Sequence, residues 1–166
     1  EQLGGSSYSL LSQIAPTIAF GVDERDEWRT LTRLCAEALG KQTKAEQLSK
    51  DYEDKLAQLE SQLPNSPDTI EASVVYIPPS EIRLMGRASF AGRVLADAGL
   101  SRPAGTPESD LGNISPEALD KIDGDIMFIL SPQSETEMAA DVRAAIERAK
   151  ANPLWSQLKA VKNNQV

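Results

Sequence analysis

A layered α/β domain over residues 70 to 166 is what this sequence predicts, and three observations predict it. β-rich runs at Ala72–Ile77, Ile82–Met85 and Asp125–Leu130 alternate there with apolar residues at three- and four-residue helical steps. The run Asp125–Leu130, "DIMFIL", is continuously apolar over the length of a strand, the pattern of a strand buried on both faces. With 40% hydrophobic and 25% charged residues, a chain of 166 has the composition and size to build one ordinary core.

The elements follow in order. Residues 7 to 22 run apolar and end in a β-rich stretch, Thr17–Val22, with Pro16 suited to a strand's start. From Asp23 the period changes. Trp28, Leu31, Leu34, Cys35, Ala38 and Leu39 mark a helix that Gly40 caps. Thr43 and Glu46 form a capping-box pattern at the head of a second helix, whose stripe is Ala45, Leu48, Tyr52, Leu56, Leu59 and Leu63 before Pro64 stops it. About twenty helical residues span ~30 Å. Such a helix either lies on one core or bridges two lobes. A Pro-punctuated connector leads to the strand at Ala72, the turn "PPSE" and the strand at Ile82. Phe90, Ala91, Val94, Leu95 and Ala98 form a helix closed by Gly99, and the Pro/Gly/Ser-rich residues 101 to 113 read as loop. Ser115 and Pro116 start a short helix to Ile122. Met138, Ala139, Val142, Ala145, Ile146 and Ala149 mark a last long helix, after which "NPLWSQLKAVKNNQV" packs back and begins another extended piece. Residues 1 to 22 read like the last helix–strand unit of a different α/β lobe.

Composition excludes several functions. The formal net charge is −8, opposite to the Lys/Arg surplus that displaces counterions from nucleic acid, so no nucleic-acid partner is expected. No window has the apolar length of a membrane span, and no signal peptide opens the chain, which begins as a mature fragment would. Cys35 is the single cysteine, which rules out an internal disulfide or a cysteine metal cluster. Histidine is absent. That removes the commonest general base and metal ligand, the Ser–His and Cys–His pairs, and the usual zinc or manganese site. Carboxylate or lysine chemistry stays open, and with it the alternative of a small α/β enzyme acting on an anionic substrate.

The stretch "RLMGRASFAG" concentrates chemistry. Arg83 ends a strand, Arg87 lies just beyond it, and Ser89 precedes a helix. Guanidinium groups with the free N–H groups of a helix start can hold an anion. Equally, both arginines can be solvated surface residues paired with Glu81 or Asp97. A phosphate loop is a poor reading, because "GRASFAG" lacks the Gly-Lys-Ser/Thr ending. Trp28 and Trp155 lie on apolar stripes and read as core. Glu117 sits in a first helical turn, where the dipole stabilises a carboxylate. "DKIDGD" reads as turn and cap chemistry rather than acid–base catalysis, and no catalytic residue is assigned.

In order and spacing, "YSLLSQIAPTIAF", "EWRTLTRLCAEALGKQTKAEQLSKDYEDKL", "VVYIPPSEIRLMGRASFAGRVLADAGLSRP", "ISPEALDKIDGDIMFIL" and "PLWSQLKAVKNNQV" resemble the substrate-binding proteins of ferric-siderophore ABC transporters, the group of ferrichrome, ferric citrate and cobalamin receptors. The resemblance implies a helical-backbone (class III) periplasmic binding protein with a three-layer α/β/α C-terminal lobe. Residues 1–22 would end the N-terminal lobe, 23–41 would be a helix, 42–64 the inter-lobe linking helix, and 70–166 the C-terminal lobe. Most of the N-terminal lobe would be missing, and the family usually continues past Val166.

The implied function is to bind an anionic iron chelate between the lobes, without catalysis, and deliver it to an inner-membrane permease. The location would be the periplasm, with or without a lipid anchor. Arg83, Arg87 and Ser89 resemble the family's ligand-contacting positions. Tyr76, Met85 and, from the N-terminal side, Tyr8 are either cleft residues or packing, and Met85 stands where the family would lead one to expect tyrosine. Glu117 resembles the glutamate that docks onto permease arginines. No cofactor and no direct protein ligand to the iron is implied. Parted from its lobe, the apolar surface of residues 1 to 22 and the linking helix should lie bare and self-associate.

Overall fold

The computed structural model describes residues 5–19, 28–78, 81–130 and 138–166. The chain divides into two compact units, Glu1–Ala57 and Gln58–Val166.

The first unit is helical: α1 covers Gly5–Ile14, α2 covers Trp28–Ala38, and α3, Gln42–Gln62, begins here and contains the boundary between the units. Gly40 N–H donates to Glu37 O at 3.2 Å and Lys41 N–H to Ala36 O at 2.7 Å, which closes α2 with a Schellman cap. Gly40 has φ +60°, a left-handed backbone that a Cβ would strain. The chain then enters α3 directly. Ala45 N–H donates to Lys41 O at 3.1 Å, so Lys41 takes the cap position and Thr43 lies inside the first turn. The expected capping box at Thr43 is therefore displaced, because the Schellman turn already delivers the backbone to the helix. Thr17–Ala19 are neither helix nor strand. A strand needs a ladder neighbour, and no strand among the described residues pairs with them. The rest of that expected strand, 20–22, and the helix start from 23 to 27 fall outside the described residues.

The second unit is built on a four-stranded sheet of order β3-β2-β1-β4, where β1 is Ala72–Tyr76, β2 Ile82–Met85, β3 Leu111–Ile114 and β4 Ile126–Leu130. β1 and β4 are parallel, while β1–β2 and β2–β3 are antiparallel. β3 falls in the stretch read as loop. "LGNI" has no alternating signal and carries Gly and Asn, which strands disfavour. Its ladder with β2, from Ile82↔Ile114 to Met85↔Leu111, makes it a strand.

Alternation sorts the sheet's residues to two faces. Val75, Ile77, Leu84 and Met127 meet Leu119 and Ile122, Ala145 and Ala149 of α5 (Met138–Ala151), Trp155, Leu158, and Ala160 of α6 (Lys159–Lys162). On the other face Ala72 and Val74 meet Leu95 of α4 (Phe90–Asp97), with Met85, Ala91 and Leu100 beside them. Helices thus flank both faces in an α/β/α arrangement. Each fully buried Leu or Ile contributes about 1.5–3 kcal/mol. The side chains of Met138, Ala139 and Val142, expected on the last stripe, lie outside the described set.

β4 departs from the expectation of burial on both faces. Met127 is 1% exposed but Phe128 is 46% exposed. β4 is an edge strand, and α4 packs on the β1–β2 side of that face. The segment after Ser115 also differs: Pro116–Ile122 is 3-10 helix kinked at Ala118, and Ser115 makes no side-chain cap bond. Trp155 is core as expected, whereas Trp28 is half-buried, edge-on to Tyr52 with ring centroids 4.9 Å apart. The final residues run along β4, where Met127 N–H donates to Gln165 O at 2.9 Å. No helix among the described residues is long and apolar enough to cross a membrane.

Candidate functional site

β1 and β4 end together at Tyr76 and Leu130. The ladder registers align Leu130, Tyr76, Arg83 and Asn113 in one row across all four strands. Two-residue alternation puts this row on the face that carries α4. The carboxyl ends of parallel strands are where open α/β sheets commonly receive ligands.

Tyr76 is half-buried in that row. Arg83 beside it is partly buried: Nη2 donates to the Glu81 carboxylate and Nε has no partner. The hydrogen bond to Glu81 raises the Arg83 pKa, against a smaller lowering by burial. Arg87 reaches Glu108, Nε to Oε1 at 3.1 Å, rather than Asp97. Both arginines therefore have acidic neighbours of their own in this state, one foreseen and one not.

The loop after β2 is held from below. Gly86 N–H donates to Asp110 O and Arg87 N–H to Pro107 O, both at 2.8 Å, and Ala88 N–H donates to Glu108 O at 3.2 Å. A Cβ on Gly86 would stand 1.7 Å from Ser109 O, so the approach of these two segments requires glycine. Ser89 is buried as the N-cap of α4. Its hydroxyl accepts from Gly92 N–H at 3.0 Å and donates to Gly86 O at 2.7 Å. Several N–H groups at and just before this helix start are already engaged. Those of Gly86, Arg87, Ala88, Ser89 and Gly92 already have internal acceptors. Ser89 thus ties the loop to the helix start.

Met85 is half-buried against the Ala72, Val74 and Leu95 cluster, and its carbonyl accepts from Arg102 Nη2 at 2.6 Å. Arg102 escaped the sequence reading. A charged residue in a Pro/Gly/Ser-rich stretch reads as solvated, yet Arg102 is only 7% exposed, with Nε and Nη1 unpartnered. Burial first, and Arg87 second, lowers its pKa. No local signal marks it, because its burial depends on the 101–110 segment closing over the end of β2.

Tyr76, Arg83 and Met85 thus share one sheet face, and Arg87, Ser89 and Arg102 gather around the loop that follows. Tyr8 belongs to the other unit, where it is exposed and donates to Thr17 O at 3.4 Å. Glu117 is exposed in the first turn of the 3-10 segment. One cavity of about 580 Å³ lies between α2 and α3, and another of about 340 Å³ opens beside Ile77, Ile82 and Ile114 on the opposite sheet face. Among the described residues, no three His, Cys, Asp or Glu side chains group as a metal site.

The chain is 29% identical over 165 residues to the achromobactin-binding periplasmic protein of Dickeya dadantii, covering 95% of this chain and 52% of that protein. It is 30% identical over 162 residues to the Fe(3+)-citrate-binding protein YfmC of Bacillus subtilis, covering 96% of this chain and 48% of that protein. The chain thus spans about half the length of these curated relatives. Among solved structures, SirA of Staphylococcus aureus complexed with staphyloferrin B superimposes with a TM-score of 0.77 at 29% identity, over 96% of this chain and 56% of that one. FeuA of Bacillus subtilis complexed with ferri-bacillibactin gives 0.75 at 26% identity, over 97% of this chain and 56% of that one. The family described as periplasmic binding protein matches residues 2–166, and the chain belongs to it.

Proposed function

We propose that the full-length protein carrying this chain is the solute-binding component of an ABC transporter for ferric siderophores. It holds an anionic iron chelate between two lobes and hands it to the membrane permease. The observation that carries this reading is the pairing of Arg87 and Arg102 around the loop after β2, on a sheet whose same face carries Arg83, in a chain of net charge −8. A local cationic cluster on an acidic protein draws anions to one place. The names of the relatives support it: proteins described as binding achromobactin and ferric citrate, and structures complexed with staphyloferrin B and ferri-bacillibactin.

In this reading α3 links the lobes, Tyr76, Met85, Arg83 and Arg87 face the ligand from the C-terminal lobe, and Tyr8 does so from the other. Glu117 docks on the permease. The iron is cargo inside its chelator, so no resident cofactor and no protein ligand to the metal are assigned. The protein works outside the cytoplasmic membrane, in the periplasm. The family's solute-binding character supports a receptor rather than an enzyme.

Intrinsic tryptophan fluorescence of the full-length protein, titrated with ferric siderophores, tests it. Arg83→Ala should weaken anionic chelates tenfold or more, since a hydrogen bond to a charged group is worth about 1.5–3 kcal/mol. Unchanged affinity across several anionic siderophores rejects the arginine assignment.

A further inference from the structure

The Arg102 guanidinium is the most costly polar group among the described residues to leave as it stands. One of its donors reaches Met85 O at 2.6 Å, while Nε and Nη1 are shut off from solvent without a partner. Among the described residues no carboxylate pairs with it, and the charge that acts on it most is another cation, Arg87. A buried, uncompensated charge is strongly unfavourable, and arginine does not escape by losing its proton at neutral pH. Arg87 is held by Glu108, a carboxylate 86% exposed and therefore readily displaced.

We propose that Arg102 and Arg87 together form a subsite for a carboxylate-bearing ligand, in which the ligand's oxygens take the place of Glu108 on Arg87 and reach Arg102 as the pair opens. The inference rests on the siderophore reading above and deepens it, by naming the ligand chemistry that the loop after β2 selects. Nε and Nη1 donate in different directions within the guanidinium plane, so an acceptor with several oxygens satisfies both, whereas a ligand with a neutral periphery satisfies neither. Specificity then follows from the penalty of leaving the arginine unpaired when the wrong ligand binds. Exposed Glu108 acts as an internal stand-in carboxylate that a stronger polyanion displaces.

The test uses the full-length protein with three probes: ferric citrate, iron-free citrate and ferrichrome as a neutral trihydroxamate. Two variants, Arg102→Met and Arg102→Lys, are compared with the wild type for both affinity and unfolding midpoint. Both variants should lose at least tenfold in citrate affinity and leave ferrichrome unaffected. Arg102→Met should unfold at the same temperature as wild type or higher, because it removes an unpaired buried charge. Arg102→Lys keeps the charge and a donor for Met85 O but loses the Nε and Nη1 pair. A purely structural arginine predicts instead that lysine restores both stability and binding, and that result overturns the proposal. Wild-type binding of ferric chelates with both variants indifferent also overturns it, while leaving the transport reading intact. Binding of iron-free citrate through Arg102 without any ferric chelate upholds the subsite and removes the transport reading. A protein that binds none of the three probes overturns the carboxylate subsite and leaves the transport reading to the titration with other ferric siderophores.

Discussion

The two units treat their apolar residues in opposite ways. In the second, β1 buries four of its five residues, and Leu84, Leu119 and Ile122 are wholly covered. In the first, Ala36 is the one buried hydrophobic residue among those described, and α3, which begins there, buries none of its 21 positions. Leu10, Leu11, Ile14 and Ile18 are all exposed. Yet the stripe of α3 is as regular in sequence as that of α4. Periodicity reports which face is apolar, and says nothing about whether that face finds a partner. A sheet carries its own answer, since β1 gains two ladder neighbours and two packed faces at once.

Leu84→Ala and Leu48→Ala remove the same atoms from the two environments and should show the largest contrast. Leu84 is wholly buried between strands and should lose about 2–5 kcal/mol. Leu48 on α3 is 49% exposed and should lose about 0.5 kcal/mol or less. Urea unfolding of both variants measures the difference, and equal losses would erase the comparison. Next in size comes Gly86→Ala. Its new Cβ would collide with the backbone oxygen of Ser109, which no rotamer change relieves, so about 1–3 kcal/mol should go as the loop shifts. An unchanged melting temperature would show that the 107–110 segment yields freely.

The same contrast explains what was legible in the sequence. Strands β1, β2 and β4 announce themselves through β-branched and apolar runs, and the Gly40 cap and the Pro64 stop bound their helices within a residue or two. β3 was hidden, because "LGNI" becomes a strand through its pairing with β2 and through no property of its own residues. Burial of β4 on both faces was over-read, since an apolar run cannot tell a central strand from an edge one. At the candidate site, Arg83 and Arg87 stood out by an expected place at a strand end, but Arg83 is the second residue of β2 and only Arg87 lies just past its end. Their acidic neighbours were half visible: Glu81 is two residues away, whereas Glu108 comes from a loop 21 positions downstream and arrives by folding. Arg102 was invisible for the same reason.

A smaller effect comes from Asp125, which ties elements of the second unit together. Its carboxylate accepts from Glu71 N–H at 2.9 Å and pairs with the Lys159 ammonium. The hydrogen bond from Lys159, then that from Glu71, holds its pKa below the ordinary 3.8. A carboxyl whose folded pKa is depressed stabilises the fold above the unfolded value, and that contribution drains away as pH falls through the lower, folded one. Asp125→Asn should therefore cost about 1 kcal/mol or less at neutral pH after solvent screening, and the gap from wild type should close as pH drops below 3.8. Urea midpoints measured across that range check it; a gap independent of pH would mean that the side chain acts by shape alone.

The smallest effect on folding, and the sharpest on the comparison, belongs to Ile14. It is 82% exposed at the end of α1, so its side chain gains almost nothing from the fold of its own unit. Ile14→Ser should shift the unfolding free energy by no more than about 0.5 kcal/mol. Association is a separate matter, because Leu10, Ile14 and Ile18 together offer water-exposed apolar area of the kind that drives proteins to pair. Light scattering of the 166-residue chain should show a mass that rises with concentration, and Ile14→Ser with Ile18→Ser should flatten that rise while leaving the unfolding midpoint in place. A wild-type chain that stays monomeric at high concentration would mean that exposed apolar residues in the first unit are tolerated singly, as on any soluble surface. A large loss of stability in Ile14→Ser would mean instead that this face is covered in solution, and the contrast between the two units would then be one of degree.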